Sequence, residues 1–172
     1  MKLELKAINY NAGLSEETHA YSANLYLDGR KVAAVSNHGH GGCDMVYWSD
    51  KAAEAKITAH FAAMPKRDTG MQLEGKPFMI QPDLESWCHE QVTNFLILRD
   101  IKRACSRKVI GINDGQELHF KLKPADLNKV FSDGKGGTIT GRAHILAKYP
   151  NMVILNELTD SGILEAVKGV KA

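Results

Sequence analysis

Apolar and polar residues alternate along the first part of the chain. The alternation is clearest at positions 3–10 and 20–27, and an apolar run follows at 31–36. A period of two is typical of strands that bury one face. Asp28-Gly29 separates the second segment from the third and is typical of a tight hairpin turn. The three segments therefore predict an N-terminal three-stranded antiparallel meander, and a further short strand over 45–48 stays open.

The spacing of apolar residues then changes to that of helices. A first stripe predicts a helix over 50–63 that Pro65 ends. A second stripe predicts a long helix over about 82–105, at the centre of the core, with Pro82 at its start and basic residues near its end. The members of this second stripe are spaced three or four residues apart: Leu84, Cys88, Val92, Phe95, Leu98, Ile101 and Cys105.

The remaining segments complete the prediction of an α+β fold. Prolines and glycines over 65–81 predict a long loop, and a short strand over 78–80 within it stays open. A second small strand set is predicted at about 109–112, 118–122 and 152–156, with short helices at 124–131, 142–149 and 162–167. We expect a single domain over 1–172, built from an N-terminal meander and helix (1–64), the loop (65–81) and a helix-rich C-terminal part (82–172).

The composition excludes several classes of protein. Apolar residues make up 44% of the chain and charged residues 24%, which is ordinary for a globular protein. No apolar run reaches the roughly 20 residues that a membrane helix needs, and the first residues lack the apolar core of a signal peptide. The three cysteines, at positions 43, 88 and 105, do not suggest a disulfide framework. We therefore expect a cytoplasmic protein that does not contact membranes.

Charge is distributed unevenly along the chain. Residues 1–100 carry 10 lysines and arginines against 13 acidic residues, whereas residues 101–172 carry 12 against 7. This difference is too small to identify a nucleic-acid-binding protein by itself. The candidate nucleic-acid contacts are the basic residues near the end of the long predicted helix: Arg99, Lys102, Arg103, Arg107 and Lys108.

The segment 36–50 contains the greatest concentration of chemically active side chains. It holds two histidines, a cysteine, three glycines, a tyrosine and a tryptophan. Zinc takes histidine, cysteine and carboxylate ligands. A glycine-rich turn with two exposed histidines explains the same residues without a metal, and both interpretations stay open. The candidate zinc ligands are His38, His40, Cys43, Asp44 and Asp50.

This segment resembles part of the JAMM-type zinc metalloproteases. The resemblance rests on the sequence HGH at 38–40, after a predicted strand, and on SD at 49–50, where a helix begins. It implies that both histidines and Asp50 hold zinc, and that Glu16 or Glu17 acts as the general base. The implied function is a zinc-dependent hydrolase.

A second resemblance concerns residues 22–37, SANLYLDGRKVAAVSN, together with the alanine-rich helix that follows. This order is similar to the second half of a double-stranded RNA-binding domain. Such domains contact phosphates with lysines at the start of that helix, and the corresponding residues are Lys51 and Lys56. The resemblance implies a module that binds double-stranded nucleic acid.

A third resemblance covers residues 21–48, YSANLYLDGRKVAAVSNHGHGGCDMVYW. This block resembles the N-terminal part of small proteins encoded by phages and other mobile elements. It implies an accessory protein that binds a host protein complex in the host cytoplasm, such as an inhibitor of a host defence system of the anti-CRISPR kind. We rank this function ahead of the hydrolase and the nucleic-acid module, and enzymatic activity stays open. Exposed aromatic residues beside a polar loop suit an interface, so the expected binding residues are Asn37, Asp44, Tyr47 and Trp48.

Overall fold

A computed structural model of the protein describes residues 1–170. The chain has the predicted α+β fold, with antiparallel sheets and four α-helices within those residues. It divides into two compact units, Met1–Thr93 and a second that starts at Asn94. The single domain that the sequence predicts stays a prediction. No helix within the described part combines the length and the apolar character that crossing a bilayer requires.

The predicted meander forms the sheet of the first unit, and a fourth short strand joins its edge. All neighbouring strands pair antiparallel, in the order in which they occur in the chain. Asp28 and Gly29 both have positive φ, as the predicted two-residue hairpin turn requires. The strands are β1 (Leu3–Tyr10), β2 (Tyr21–Leu27), β3 (Arg30–Asn37) and β4 (Met45–Trp48).

The first helix, α1 (Lys51–Ala62), begins where the sequence predicts it. Asp50 is its N-cap, because the Asp50 side chain accepts hydrogen bonds from the backbone N–H groups of the first turn. The predicted apolar stripe consists of Ala53, Ile57, Phe61 and Met64. The first three are buried as predicted, whereas Met64 is 38% exposed because it lies beyond the end of the helix.

The segment predicted as a loop over 65–81 forms a β-hairpin instead. Its strands are β5 (Arg67–Leu73) and β6 (Lys76–Ile80), joined by Glu74 and Gly75 at positive φ. This is the turn chemistry of a tight hairpin. Gly70 and Pro77 interrupt the alternation that would identify the strands from the sequence. Pro77 is tolerated because a strand at the edge of a sheet does not need every N–H group.

The long predicted helix is α2 (Leu84–Cys105). Its N-terminus is capped by Asp83, whose carboxylate accepts from the backbone N–H of Ser86 across 2.7 Å. Cys88 and Val92 are fully buried, and the other members of the predicted stripe are half-buried. The helix begins in the first unit and ends in the second.

The second unit contains the second predicted strand set, as a three-stranded sheet in which the strand 109–113 lies between the strands 153–154 and 116–120. The predicted helix over 124–131 is a single 3-10 turn, Pro124–Asp126, and the following residues form a strand. The second unit packs its apolar residues in two clusters, around Val109 and around Ile110. Its elements are β7 (Val109–Asn113), β8 (Gln116–Phe120), β9 (Val130–Ser132), β10 (Thr138–Thr140), α3 (Gly141–Lys148), β11 (Val153–Ile154) and α4 (Asp160–Lys168).

Candidate functional site

The glycine-rich loop between β3 and β4 is organised around one buried amide, the side chain of Asn37. Asn37 is only 4% exposed. Its Oδ1 accepts from the Thr18 hydroxyl across 2.9 Å and from the Gly39 N–H across 2.8 Å. Its Nδ2 donates to the Gly42 carbonyl oxygen across 2.8 Å and to Oδ1 of Asp44 across 3.0 Å. One amide therefore ties together two loops and the start of β4.

Asp44 lies at the end of this loop with its side chain 1% exposed. The Tyr21 hydroxyl donates to Oδ2 of Asp44. Oδ1 of Asp44 lies 3.2 Å from Nε2 of His89, on α2. The backbone N–H of Asp44 donates to Oε1 of Glu85, also on α2, across 3.3 Å. The loop is thus connected to α2 through polar groups.

Burial changes the acidity of two groups beside this carboxylate. The pKa of Tyr21 is raised far above its ordinary value, first by burial and then by its hydrogen bond to Asp44. Burial and the negative charge of Asp44 also raise the pKa of the Cys88 thiol to about 12. Both side chains are therefore neutral at physiological pH, and Tyr21 remains a hydrogen-bond donor.

Two clefts flank the loop within the first unit. One, of about 440 Å³, has His89 and Thr93 on one wall and residues 15–19 on another. The other, of about 760 Å³, is lined in part by His38 and His40. His89 is 34% exposed, so one part of its ring faces the first cleft while Nε2 faces Asp44.

The structure does not gather the zinc ligands that the sequence predicts at His38, His40, Cys43 and Asp50. No three of these four residues bring ligand atoms within 4.8 Å of one another. His38 and Cys43 are exposed, and Nδ1 of His40 lies 3.0 Å from Oε2 of Glu16. Asp50 is occupied as the cap of α1 and by an ion pair with Arg30.

A different set of metal-ligating side chains does converge within residues 1–170. These are Asp44, Glu85 and His89, whose ligand atoms all lie within 4.8 Å of one another. Asp44 is among the ligands that the sequence predicts, and the two helical residues are not. Glu85 and His89 are four positions apart, and this spacing puts two helical residues on the same face of a helix. The sequence does not show that this face meets the loop. The zinc-dependent hydrolase stays a prediction.

The four predicted binding residues separate into two environments. Asn37 and the side chain of Asp44 are buried and shape the loop from inside. Tyr47 and Trp48 lie on β4, an edge strand of the sheet. Tyr47 is 64% exposed, whereas Trp48 is half-buried. Tyr47 is therefore the residue of this set that is most available to a partner.

The hairpin β5–β6 carries a larger exposed apolar surface. Every residue from 70 to 80 is exposed. Leu73 pairs with Lys76 across the hairpin, and the alternation of side chains places Leu73, Phe78 and Ile80 on one face. The exposed apolar residues of the hairpin are Met71 (62%), Leu73 (63%), Phe78 (39%), Met79 (43%) and Ile80 (36%).

The basic residues predicted to contact nucleic acid are partly neutralised. Nζ of Lys102 lies 2.6 Å from a carboxylate oxygen of Asp160, and Arg99 pairs with Asp100 across 2.9 Å. Lys108 contacts Nδ1 of His119 across 2.7 Å. In α1, Lys51 pairs with Glu54 across 3.7 Å, and Lys56 pairs with Asp28 across 3.6 Å. Binding of nucleic acid by either group stays a prediction.

Comparison of the sequence with protein-family models and curated proteins, and of the fold with solved structures, finds no match.

Proposed function

We propose that this chain is a phage or mobile-element accessory protein that binds a host protein complex in the host cytoplasm. The observation that carries the proposal is the exposed apolar face of the hairpin β5–β6. Contiguous apolar patches on a protein surface mark interaction sites far more often than isolated exposed residues do. The resemblance of residues 21–48 to phage-encoded proteins supports the choice of a host complex as the partner.

An isolated hairpin gains stability when a partner covers its apolar face. A two-stranded hairpin without further strands is marginally stable in water. Leu73 and Met71 are both more than 60% exposed. Burial of a leucine or methionine side chain contributes about 1.5–3 kcal/mol. Burial of this face against a partner therefore stabilises both the hairpin and its complex with that partner.

The surface of the hairpin also indicates the kind of partner. Its apolar face suits a hydrophobic groove, and its strand edges can add to an exposed strand of another sheet. Glu74 lies in the turn and Lys76 begins β6, so both supply polar groups at the tip of the hairpin. A protein that occupies such a groove on a host defence complex inhibits it without any catalysis of its own.

The test is capture of a host complex by the purified protein, followed by its effect on that complex. The tagged chain is mixed with lysates of bacteria that carry defined defence complexes, and captured subunits are identified by mass spectrometry. We expect the double variant Leu73→Ser with Phe78→Ser to lose capture and to lose protection of a phage in a plaque assay. Stability should stay within about 0.5 kcal/mol, as for other surface changes.

Two controls separate this surface from others. Val130→Ser with Val153→Ser removes exposed apolar side chains that are 59% and 41% exposed in the second unit, and should leave capture unchanged. Tyr47→Ala tests the surface that the sequence predicts. Capture that survives the hairpin variant, or that fails equally in the control variant, contradicts the proposal.

A further inference from the structure

A site for a metal ion lies where the loop before β4 meets α2. Asp44 comes from the loop, and Glu85 and His89 are one helical turn apart on α2. Two carboxylates and an imidazole are a donor set that divalent first-row transition metals take. From this convergence we infer that Asp44, Glu85 and His89 bind a divalent transition-metal ion such as Zn²⁺. The inference does not depend on partner binding by the hairpin.

The charge balance of the buried region is an independent reason for a cation. The Asp44 side chain is 1% exposed and Glu85 is half-buried. Within residues 1–170, no lysine or arginine lies within 4.0 Å of either carboxylate, and the ionisable partner of Asp44 is His89. A buried carboxylate is stabilised by hydrogen-bond donors, by a nearby positive charge, or by both. A divalent ion would supply one positive centre beside both the Asp44 and the Glu85 carboxylates.

The groups around Asp44 form the support that metal-binding carboxylates commonly have. The Tyr21 hydroxyl and the Asn37 amide both donate to the Asp44 carboxylate. Such donors fix the orientation of a ligand, and their loss typically weakens metal affinity about 10- to 100-fold. Nε2 of His89 already points at Asp44 across 3.2 Å, so an ion between the two atoms replaces their direct contact.

The site is open to solvent on one side. His89 is 34% exposed and lines the cleft of about 440 Å³ together with Thr93 and residues 15–19. Three protein ligands leave at least one coordination position of zinc for water or for a small ligand. Of the three ligands, His89 lines this cleft, so solvent reaches the site at the ring of that residue.

The experiment is a titration of untagged, chelator-treated protein with Zn²⁺ in a calorimeter. We expect about one equivalent to bind. Glu85→Gln and His89→Ala should each lower the affinity at least about tenfold. The double variant His38→Ala with His40→Ala is the matched control, because it removes two exposed histidines from the neighbouring loop. It should bind Zn²⁺ as the unaltered protein does.

Thermal unfolding of the same proteins gives a second measurement. Zn²⁺ should raise the melting temperature of the unaltered protein and of the loop-histidine control, because an ion that binds only the folded state stabilises it. At the same Zn²⁺ concentration, the increase in melting temperature should be smaller for Glu85→Gln. Mg²⁺ in excess should not displace Zn²⁺, because Mg²⁺ prefers an octahedron of oxygen ligands.

Three results overturn the inference. The first is the absence of stoichiometric Zn²⁺ binding by the unaltered protein. The second is unchanged affinity in both Glu85→Gln and His89→Ala. The third is loss of binding in the variant of His38 and His40 alone, which would assign the ion to the loop. Because Glu85→Gln preserves the size of the side chain, it remains informative if His89→Ala fails to fold.

Discussion

The side-chain amide of Asn37 donates to Oδ1 of Asp44 across 3.0 Å, although the two residues are seven positions apart in the chain. This hydrogen bond closes the glycine-rich loop from inside. The same amide also binds the backbone of Gly39 and Gly42. The polar residues of the loop therefore define its conformation as well as its chemistry.

Asn37→Ala should destabilise the protein. It leaves the buried N–H of Gly39 without its acceptor and removes a donor from the nearly buried Asp44 carboxylate. A buried polar group without a partner costs about 1–3 kcal/mol. Urea unfolding followed by circular dichroism measures the loss. His38→Ala, one residue further along and exposed, should stay within about 0.5 kcal/mol. Equal midpoints for the two variants would show that the amide does not organise the loop.

Two glycines of this loop should respond differently to alanine. Gly39 has φ of +91°, and a Cβ atom there would lie 2.0 Å from the backbone carbonyl oxygen of Leu14. We expect Gly39→Ala to cost more than about 1 kcal/mol. A Cβ atom at Gly42 meets nothing within 4 Å, so Gly42→Ala should be neutral or slightly stabilising. Denaturant midpoints of the two variants test this, and equal losses would contradict the close approach.

The charge of Asp50 should make stability depend on pH in the acidic range. The pKa of Asp50 lies below its ordinary value of 3.8, chiefly because the backbone N–H of Ala53 donates to it and because Arg30 is near. A lowered pKa in the folded state means that the stabilisation is complete above the ordinary value and is lost as pH falls through the folded value.

The matched variant is Asp50→Asn, which keeps an N-cap and removes the charge. At neutral pH the unaltered protein should melt at a higher temperature than this variant. The difference should shrink as pH falls below about 4. If the difference in melting temperature stays the same at neutral pH and well below pH ~4, the charge of Asp50 contributes nothing to stability.

The three cysteines should differ in reactivity toward a thiol reagent. Cys43 is exposed, whereas Cys88 is fully buried. Burial also raises the pKa of the Cys105 thiol, and the negative charge of Glu117 raises it further. The thiolate is the reactive form, so only Cys43 should react rapidly in the folded protein. The rate of colour release from an aromatic disulfide measures this, and Cys43→Ser should abolish the fast phase. A fast phase that persists in that variant would show that a second thiol is accessible.

Local patterns in the sequence determined much of the fold. The meander follows from a period of two, and the turn at Asp28-Gly29 requires positive φ that glycine and aspartate tolerate. The helices α1 and α2 follow from their apolar stripes, and the proline predicted at the start of α2 lies two residues before its first residue, Leu84. These signals are readable because each depends on residues that are close together in the chain.

The hairpin β5–β6 could not be recognised in the same way. Almost all residues of its strands are exposed. Because neither face of the hairpin is buried, its sequence does not need to alternate apolar and polar residues. Gly70 and Pro77 further resemble the residues of a loop. Only the pairing of the two strands identifies the segment as a hairpin.

The candidate metal site could not be recognised from the sequence because its ligands are far apart in the chain. The sequence drew attention to the loop at 36–50 and to Asp44, because histidines, cysteine and carboxylates are concentrated there. Glu85 and His89 lie more than 40 residues further along the chain. Side chains so far apart become neighbours only when the sheet packs against α2. The sequence alone therefore determined which residue types were available, and the tertiary structure decided which of them meet.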